Sequence, residues 1–493
     1  MELELAVAAD TVAGLSRLKA LTACRNGRPR THSVKIVWHD SPDHVLLADG
    51  LTLADQRGVR RLERIVPAPA DTWLPAQPVP VVAEAPDPAS LPAPLAPLAA
   101  FEARQTISEH RFGDHAVVVT VARGVLRSVT AEQPAARIWL SGDEAAVHEA
   151  ALLIGKAVPI AVPLHSLAAE GIALATGHPA RPRREGAPIL PDAVSDVPAA
   201  LAHILGHLTD VILACAPVIV APIDDGSGGS RLHAVHQMRV AVRRARSALS
   251  VFRHALPDGA LDAVNVRLKE LGARLGPTRD WDVFTEETVP AIRQTLPDDQ
   301  RLERLAAAAA RRRQDCRKAL ISYLGSAEFR MLGIELAWFA AAGFWHVVSV
   351  APQNGEANGP PALPEFAGSV LQHRWKRLVS SGKRIDELDI PSLHGVRLRA
   401  KRARYAAEMF ATLYRGKASH RFIRRLSALQ ERLGVLNDGD VANHLLAELG
   451  GPAGRHAYAT GIIVGFLAAR AAKIRPRIIR AFERFRRQPA YWA

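Results

Sequence analysis

Two different patterns of hydrophobic and polar residues divide the chain. Through residue 175 the apolar residues occur in short segments that alternate with polar ones, and this period of two predicts β-strands. Examples are Val34–Trp38, Val117–Val121 and Arg137–Leu140, and the last of these precedes a stretch with helical spacing, Gly142–Ile154. From about residue 198 onward strand patterns are nearly absent, and segments such as Gln300–Leu324 are rich in Ala, Leu, Arg and Glu, which favours helices.

These patterns predict an α+β protein of two domains. A strand-rich domain occupies residues 1–175, and an all-helical domain occupies residues 198–487. Residues 176–197 contain several Pro and Arg residues, a composition typical of an interdomain linker. Within the first domain, the Pro- and Ala-rich segment Pro67–Pro97 is expected to be a loop.

The helical half contains an internal repeat at an offset of 158 residues. The segment His236-x2-Arg239-x3-Arg243-Arg244-x-Arg246 returns as His394-x2-Arg397-x3-Lys401-Arg402-x-Arg404. At the same offset, Leu271-x2-Arg274-Leu275-Gly276-x3-Asp280-x-Asp282 returns as Leu429-x2-Arg432-Leu433-Gly434-x3-Asp438-x-Asp440. One offset shared by two separate motifs predicts two similar helical units, at about 198–350 and 365–487, related by a pseudo-two-fold axis.

The first motif of each unit places cations and apolar residues on adjacent faces of one helix. At about 100° per residue, four cations of the first copy fall within an arc of about 80°. We call this set the first stripe: His236, Arg239, Arg243 and Arg246. The neighbouring apolar arc contains Val235, Met238, Val242, Leu249 and Phe252. The second stripe is His394, Arg397, Lys401 and Arg404, with Val396 and Phe410 on the buried side.

A bound anion would stabilise these helices. Like charges at this spacing destabilise a helix by a few tenths of a kcal/mol per pair, and residues 236–252 contain no Asp or Glu to offset them. Arg suits phosphate because its planar guanidinium donates two parallel hydrogen bonds, and a neighbouring phosphate favours charged His. The alternative is that both stripes are ordinary solvated faces. Solvation alone does not require the same order of side chains twice, with His at the head of each.

Composition agrees with an anionic partner. The 493 residues carry a formal net charge of +14, which favours nucleic acid, an anionic membrane surface or a phosphate polymer. Cys24, Cys215 and Cys316 are far apart, so neither a disulfide framework nor a zinc site is expected, and a reducing cytosol is the default. The apolar runs Val211–Ile223 and Leu336–Trp345 are shorter than the ~18–20 residues of a membrane span, so a cytoplasmic protein without a span is expected.

The paired aspartates of the second motif have three interpretations. Asp280 with Asp282, or Asp438 with Asp440, would suit a divalent cation, a helix N-cap or ion pairs with the stripes. Each pair follows a Gly-containing segment and precedes an apolar run, which favours the cap and ion-pair interpretations. Two carboxylates without a third ligand are a weak metal signature, so no metal site is predicted.

Both repeats resemble the CHAD family, the conserved histidine α-helical domain, over roughly residues 198–487. The resemblance implies two pseudo-symmetric four-helix bundles around a basic channel or groove that binds inorganic polyphosphate, and in some bacteria an association with polyphosphate granules. It implies a binding site of His236, Arg239, Arg243, Arg244 and Arg246 in the first unit and His394, Arg397, Lys401, Arg402 and Arg404 in the second. Lys269, Arg274, Arg425 and Arg432 would extend this surface from adjoining helices.

The N-terminal region resembles a degenerate CYTH domain, the triphosphate-tunnel fold, which is an antiparallel β-barrel. The start Glu2-Leu3-Glu4-Leu5-Ala6 is similar to the ExExK signature of that family, with Ala6 in place of the Lys. Leu51–Asp55 lacks the alternating Arg, and Arg137–Asp143 lacks the inward Glu, that the family carries in such strands. Because a triphosphate tunnel needs carboxylates for its metal and cations for phosphate, the barrel is expected without the hydrolase chemistry. Glu2 and Glu4 remain candidates for residual metal binding.

Three functions follow, and the sequence favours the first. It is binding of polyphosphate by the helical domain, with no cofactor and no catalysis. The second is a metal-dependent triphosphatase or polyphosphatase that acts through the N-terminal domain. The third is nucleic-acid binding, which is disfavoured because aromatic residues make up only 5% of the chain and the first stripe contains none for base stacking.

Overall fold

The chain forms a β-sheet unit and a helical unit. The computed structural model describes residues 1–66, 76–77, 80–179, 184–222, 228–255, 259, 261–341, 362–414 and 416–492. The sheet unit comprises Met1–Glu185, Leu205–Ala214 and Gly325–Val348, and the helical unit comprises Gly186–Ile204, Cys215–Leu324 and Ser349–Ala493. An antiparallel sheet domain followed by a helical domain is therefore confirmed.

A single antiparallel sheet forms the first unit. Its strands are β1 (Glu2–Val7), β2 (Arg25–Asp40), β3 (Leu51–Gln56), β4 (Val59–Arg64), β5 (Val81–Glu84), β6 (Ala96–Phe112), β7 (His115–Ser128), β8 (Glu132–Gly142) and β9 (Ile160–Ala161). Their spatial order is β5-β4-β3-β2-β6-β7-β8-β1-β9. The segment that ends in β5 also reaches the other end of this order, because the Ala76 carbonyl accepts a hydrogen bond from the Glu4 amide at 2.6 Å. The described sheet thus curves towards the closure that a barrel requires.

The sheet has a helix packed on each face. Its short helices are α1 (Val12–Ser16), α2 (Lys19–Ala23) and α3 (Val45–Ala48), and its longer ones are α4 (Glu144–Ala157) and α5 (Leu167–Thr176). Leu3, Leu5 and Val7 point to the face covered by α4. The opposite face packs Trp38 and Phe101 against α5. Alternation along each strand assigns its residues to these two cores, so that Glu4 lies on the α5 side.

Ten α-helices follow α5 in the part of the chain that the structure describes. They are α6 (Val197–Val220), α7 (Gly228–Phe252), α8 (Asp262–Val283), α9 (Val289–Arg293), α10 (Gln300–Leu324), α11 (Ala327–Ala341), α12 (Leu363–Ser381), α13 (Ile390–Met409), α14 (Lys417–Glu448) and α15 (Ala457–Arg486). A shift of 158 residues carries α6, α7, α8 and α10 onto α12, α13, α14 and α15. Each predicted repeat therefore supplies four equivalent helices.

Two helices of the helical unit begin with an aspartate N-cap. The Asp196 carboxylate accepts a hydrogen bond from the Ala199 amide at 2.7 Å and caps α6, and Asp389 accepts one from the Ser392 amide at 2.9 Å and caps α13. Both helices carry Pro in their first turn, where its missing N–H costs nothing. The bounds of the stripe-bearing helix α13 are thus encoded locally.

Several expectations from the sequence pattern can be compared with these bounds. The strand segments Val34–Trp38, Val117–Val121 and Arg137–Leu140 lie in β2, β7 and β8, as predicted. The loop predicted at Pro67–Pro97 is wrong at Val81–Glu84, which pairs with β4; its residues 67–75 and 78–79 lie outside the described residues. The gap predicted between the repeats, 350–365, lies mostly outside them too.

Among the residues that the structure describes, two helices have the length and composition of a membrane span, contrary to the expectation that no apolar segment is long enough. They are Val197–Val220 and Ala457–Arg486. Helix α6 begins at Val197, so it includes apolar residues before Val211, where the apolar run identified in the sequence begins. Of the most apolar 18-residue stretch of each helix, 61% is buried inside the protein in α6 and 22% in α15. Core helices of soluble proteins can have the same length and apolar composition, so these two properties are weak evidence for a membrane location.

Candidate polyanion-binding site

The two stripe-bearing helices, α7 and α13, pack against each other. Their apolar sides are buried as predicted: Val235, Val242 and Val396 are at most 1% exposed. Three aromatic rings join the C-terminal ends of the helices, with centroid distances of 5.2 Å between Phe252 and Phe366, 6.0 Å between Phe252 and Phe410, and 6.2 Å between Phe366 and Phe410. Phe252 and Phe410 are repeat equivalents, so this contact follows the internal symmetry and holds the stripes on one side.

One carboxylate joins the helices beside the rings. Glu408 accepts a hydrogen bond from Arg244 at 2.8 Å (Nη2 to Oε2), and its Oε1 lies 3.3 Å from Nε of Arg404. The buried Tyr405 ring lies between the same two guanidiniums, whose Cζ atoms are 5.8 and 5.5 Å from its centroid. Arg244 and Arg404 therefore have an internal role, which is to hold α7 against α13.

The remaining central cations crowd one another across the helix pair. Burial lowers the pKa of Lys401 to about 7, and the neighbouring charges of Arg397, Arg243, Arg239 and Arg404 add to this effect. Burial also lowers the pKa of the Arg243 guanidinium, as do Arg239, Arg404 and Arg244. Each stripe thus acts on the other, and the two predicted stripes converge.

Few acceptors compensate these charges. Arg239 Nη2 lies 3.4 Å from Asp280 Oδ1, and Arg397 Nη1 donates to Asn437 Oδ1 at 2.5 Å. The buried Nε of Arg243 has no hydrogen-bond partner within the described part of the chain. Within that part, Arg243 and Lys401 also have no carboxylate at ion-pair distance. Buried cations without acceptors are costly, so this cluster favours an anion from outside.

A cavity of about 430 Å³ opens onto Arg243 and Lys401 and is lined by residues of α7, α8, α12 and α13. Its basic lining residues are Arg243, Arg246, Arg253, Arg374, Lys401 and Arg402. Asp262 is the one carboxylate among the lining residues that the structure describes. The strongly cationic lining suits a ligand that carries several negative charges.

The predicted site residues divide into those at this cluster and those elsewhere. Arg246 and Arg402 are exposed at the cavity, and Arg246 Nε donates to Asn265 Oδ1 at 3.3 Å. His236 is half-buried beside Arg279 and Arg243, and burial and these charges lower its pKa. His394 is half-buried near the start of α13.

Four predicted cations of α8 and α14 lie apart from both stripes and from the lining of the cavity. Lys269 and Arg274 are exposed on α8. Arg425 donates to the Arg484 carbonyl of α15 at 3.3 Å, and Arg432 donates to the Ala428 carbonyl of its own helix at 2.6 Å. The structure therefore gives no contact that joins these four to the stripes among the described residues.

Two lining cations were missed by the sequence argument. Arg253 follows the end of α7, and Arg374 lies on α12. The repeat equivalents of these arginines are Ala411 and Ala216. The sequence argument considered only cations that recur at the repeat offset, so it left these two arginines out. A comparison of equivalent helices for Arg residues present in one repeat alone would have identified them.

The interpretation of the paired aspartates as N-caps is wrong. Helix α8 continues through Gly276 and Pro277 to Val283, and α14 continues through Gly434, so the aspartates lie within helices. The ion-pair interpretation fits better: Asp280 pairs with Arg239, and the fully buried Asp282 accepts from Arg313 and Arg317 at 2.8 Å each. In the second repeat Asp438 opposes the lowering of the Arg397 pKa. Among the described residues, no group of three or more His, Cys, Asp or Glu is placed to hold a metal.

In the sheet unit, Glu4 is bound by protein groups. Arg137 Nε donates to Glu4 Oε1 at 3.0 Å, and Arg137 Nη2 lies 2.6 Å from Glu170 Oε1 of α5. Burial raises the pKa of Glu4 to about 7, although Arg137 opposes the rise. This carboxylate is enclosed beside a core of Trp38, Phe101 and α5. Glu2 is exposed.

Fold and site together define a two-repeat helical protein with one shared cationic cavity. A model of the CHAD domain matches residues 199–447, and the chain belongs to this family. The crystal structure of the CHAD domain from the plant Ricinus communis is 30% identical and has a TM-score of 0.51, covering 62% of this chain and 96% of that one.

A second similar structure is PptA from Streptomyces chartreusis, with 15% identity and a TM-score of 0.43, covering 58% of this chain and 99% of that one. The comparison with curated proteins finds no match. The family predicted from the repeated motifs is confirmed.

Proposed function

We propose that the helical unit binds inorganic polyphosphate in the cavity between α7 and α13. The observation that carries the proposal is that Arg243 and Lys401, one from each repeat, crowd each other without a carboxylate partner among the described residues. A chain of phosphates supplies closely spaced acceptors for guanidiniums and ammonium groups from both helices. Each charge-assisted contact contributes at most ~1.5–3 kcal/mol, so tight binding needs several phosphates together.

The lining favours a phosphate chain over a nucleic acid. Single-strand binders stack bases on accessible aromatic rings. The aromatic residue of the described lining is Tyr405, which is 5% exposed and flanked by two arginines. Competition between polyphosphate and DNA at fixed salt tests this choice, and preferential binding of DNA would refute it.

A titration of two charge-matched variants tests the location of the site. Changing Arg239, Arg243, Arg397 and Lys401 to Ala should abolish most of the affinity for polyphosphate and reduce the salt dependence of binding, because fewer counterions are released. The control changes Lys269, Arg274, Arg425 and Arg432 to Ala, which removes the same charge outside the cavity. Circular dichroism checks that both variants fold. An equal loss of affinity in both would contradict the cavity as the site.

The sheet unit is proposed to be non-catalytic. The enclosure of Glu4 by Arg137 and the apolar packing on the α5 face support this proposal, since a triphosphatase needs accessible carboxylates for its metal. Incubation of the protein with tripolyphosphate and Mg²⁺ or Mn²⁺ is the test. Phosphate release that is abolished by Glu4→Gln would establish the triphosphatase function instead.

The cellular location that follows from this ligand is the cytoplasm, at polyphosphate granules. A fluorescent fusion of the full chain should co-localise with stained granules and should spread through the cytoplasm when Arg239, Arg243, Arg397 and Lys401 are changed to Ala. Granule localisation that persists in that variant would contradict the assignment.

A further inference from the structure

A second cationic groove lies on the outer side of α12 and α13. Its volume is about 180 Å³, and it is lined by Arg374, Arg377, Gly395, Leu398, Arg399 and Arg402. Arg402 alone among these belongs to a predicted motif. The four guanidiniums have no carboxylate at ion-pair distance among the residues that the structure describes. Burial lowers the pKa of Arg374, and the charges of Arg402 and Arg377 lower it further, so the groove is crowded with like charge.

The groove is continuous with the central cavity. Arg374, Leu398 and Arg402 line both spaces. Arg374 also reaches towards α7, where its Nη2 donates to Ser250 Oγ at 3.2 Å. Leu398 is 42% exposed and lies at the boundary between the two spaces. Along α13, the distance from Tyr405, which lines the cavity, to Gly395, which lines the groove, is about 15 Å at the helical rise per residue, so one extended ligand can follow this helix from the cavity into the groove.

Three arginines of this groove have no cationic equivalents at the corresponding described positions of the first repeat. At the 158-residue offset, Arg374, Arg377 and Arg399 correspond to Ala216, Ile219 and Ala241. Ile219 and Ala241 are at most 2% exposed. The cations are therefore not part of the repeated pattern, and helix packing does not require them. Three arginines gathered on one repeat extend the positive surface in one direction only.

We propose that this groove is a second binding segment for the same polyphosphate chain, which leaves the central cavity on the α12 and α13 side. The inference depends on the proposed function and adds a length requirement. A short oligophosphate fills the central cavity alone, whereas a long chain continues over Leu398 and contacts Arg377 and Arg399. The protein therefore selects long chains over short ones.

The test uses Arg377→Ala with Arg399→Ala, because these two residues line the groove and not the central cavity. Tripolyphosphate and long-chain polyphosphate are titrated at several salt concentrations. The double variant should bind the long chain about tenfold more weakly or worse. Its salt slope should fall by about 1.4, which corresponds to two lost contacts with a single-stranded polyanion. Its affinity for tripolyphosphate should not change.

The control changes Arg421 and Arg424 to Ala, two exposed arginines of α14 outside the groove, and should leave both affinities unchanged. Thermal unfolding confirms that the variants fold. Unchanged long-chain affinity in Arg377→Ala with Arg399→Ala, or an equal loss for both ligands, would overturn the second segment. If the unmodified protein binds neither ligand, the proposed function itself fails, and the two failures are thus distinguishable.

Discussion

If the helical unit binds polyphosphate as proposed, Lys401 makes that binding depend on pH in a range where most lysines do not titrate. Its pKa lies at about 7 because the side chain is buried among Arg397 and Arg404 of its own helix and Arg239 and Arg243 of α7. Asp280 and Asp438 are the acidic groups whose pKa values respond to its charge. Above pH 7 the unliganded protein therefore holds Lys401 largely neutral. A bound phosphate favours the charged amine and raises its pKa, so binding takes up a proton.

The size of the effect follows from linkage. If phosphate restores the Lys401 pKa towards 10.5, the affinity falls by up to tenfold for each pH unit above the pKa of the free state, which lies at about 7. Between pH 7 and 9 the total is at most about 100-fold. Below pH 7 the amine is already charged and this dependence disappears.

Calorimetric titration with long-chain polyphosphate at constant ionic strength measures this dependence. Long chains are chosen because their few terminal groups contribute little to the pH profile. Repeating the titration at pH 8 in buffers of different ionisation enthalpy counts the protons taken up, and up to one is expected. Lys401→Arg is the matched control, since Arg stays charged throughout this range, and its affinity should be nearly independent of pH. An Arg variant with the same pH slope as the unmodified protein would refute the reasoning.

Three further changes test the supports of the site. Glu408→Ala should lower the Tm of the unliganded protein, because Arg244 and Arg404 lose their shared carboxylate. It should also increase the rise in Tm on addition of polyphosphate, whose phosphates replace that carboxylate. An unchanged Tm would contradict the role of Glu408 in holding α7 against α13. Phe410→Ala should lower the free energy of unfolding by about 3–5 kcal/mol, since its fully buried ring joins the two stripe helices; denaturant titration checks this. Glu4, whose pKa is raised to about 7, binds more protons when folded than when unfolded between pH 4.5 and 7. As the pH rises from 4.5 to 7, the free energy of unfolding should therefore fall relative to that of Glu4→Gln, by at most about 3 kcal/mol. Parallel curves of this free energy against pH for the two proteins, measured by chemical denaturation, would contradict the prediction.

Most of the site residues that could be predicted from the sequence were identified through the internal repeat. A shared offset identified equivalent helices, and the helical period separated the cationic arc from the buried one, so Arg243 and Lys401 could be placed on similar faces. The convergence of those faces needed tertiary packing. It depends on the contact of Phe252 with Phe366 and Phe410, and spacing within one helix does not encode which other helix it meets.

The sequence argument failed where local signals were overridden by packing. The segment that contains Gly276 indicated a helix end, yet α8 passes through it and through Pro277 because Leu271, Leu275 and Trp281 on either side are buried in one continuous face. Tertiary packing of an apolar face outweighs a penalty of about 1 kcal/mol for Gly and about 3 kcal/mol for an internal Pro. The aspartates of this helix thus became partners of arginines on neighbouring helices.

The aromatic contact and Glu408 explain how a helix pair can hold so many cations before any ligand binds. Mutual repulsion among Arg239, Arg243, Arg397 and Lys401 opposes the packing of α7 on α13, and the low pKa of Lys401 removes part of that repulsion by releasing a proton. The buried rings and Glu408 supply the opposing attraction at the C-terminal ends of the two helices. If polyphosphate binds as proposed, a phosphate chain in the cavity adds negative charge, and a proton returns to Lys401. Ligand binding, protonation and stability of the helix pair are therefore one coupled equilibrium, in which each raises the others.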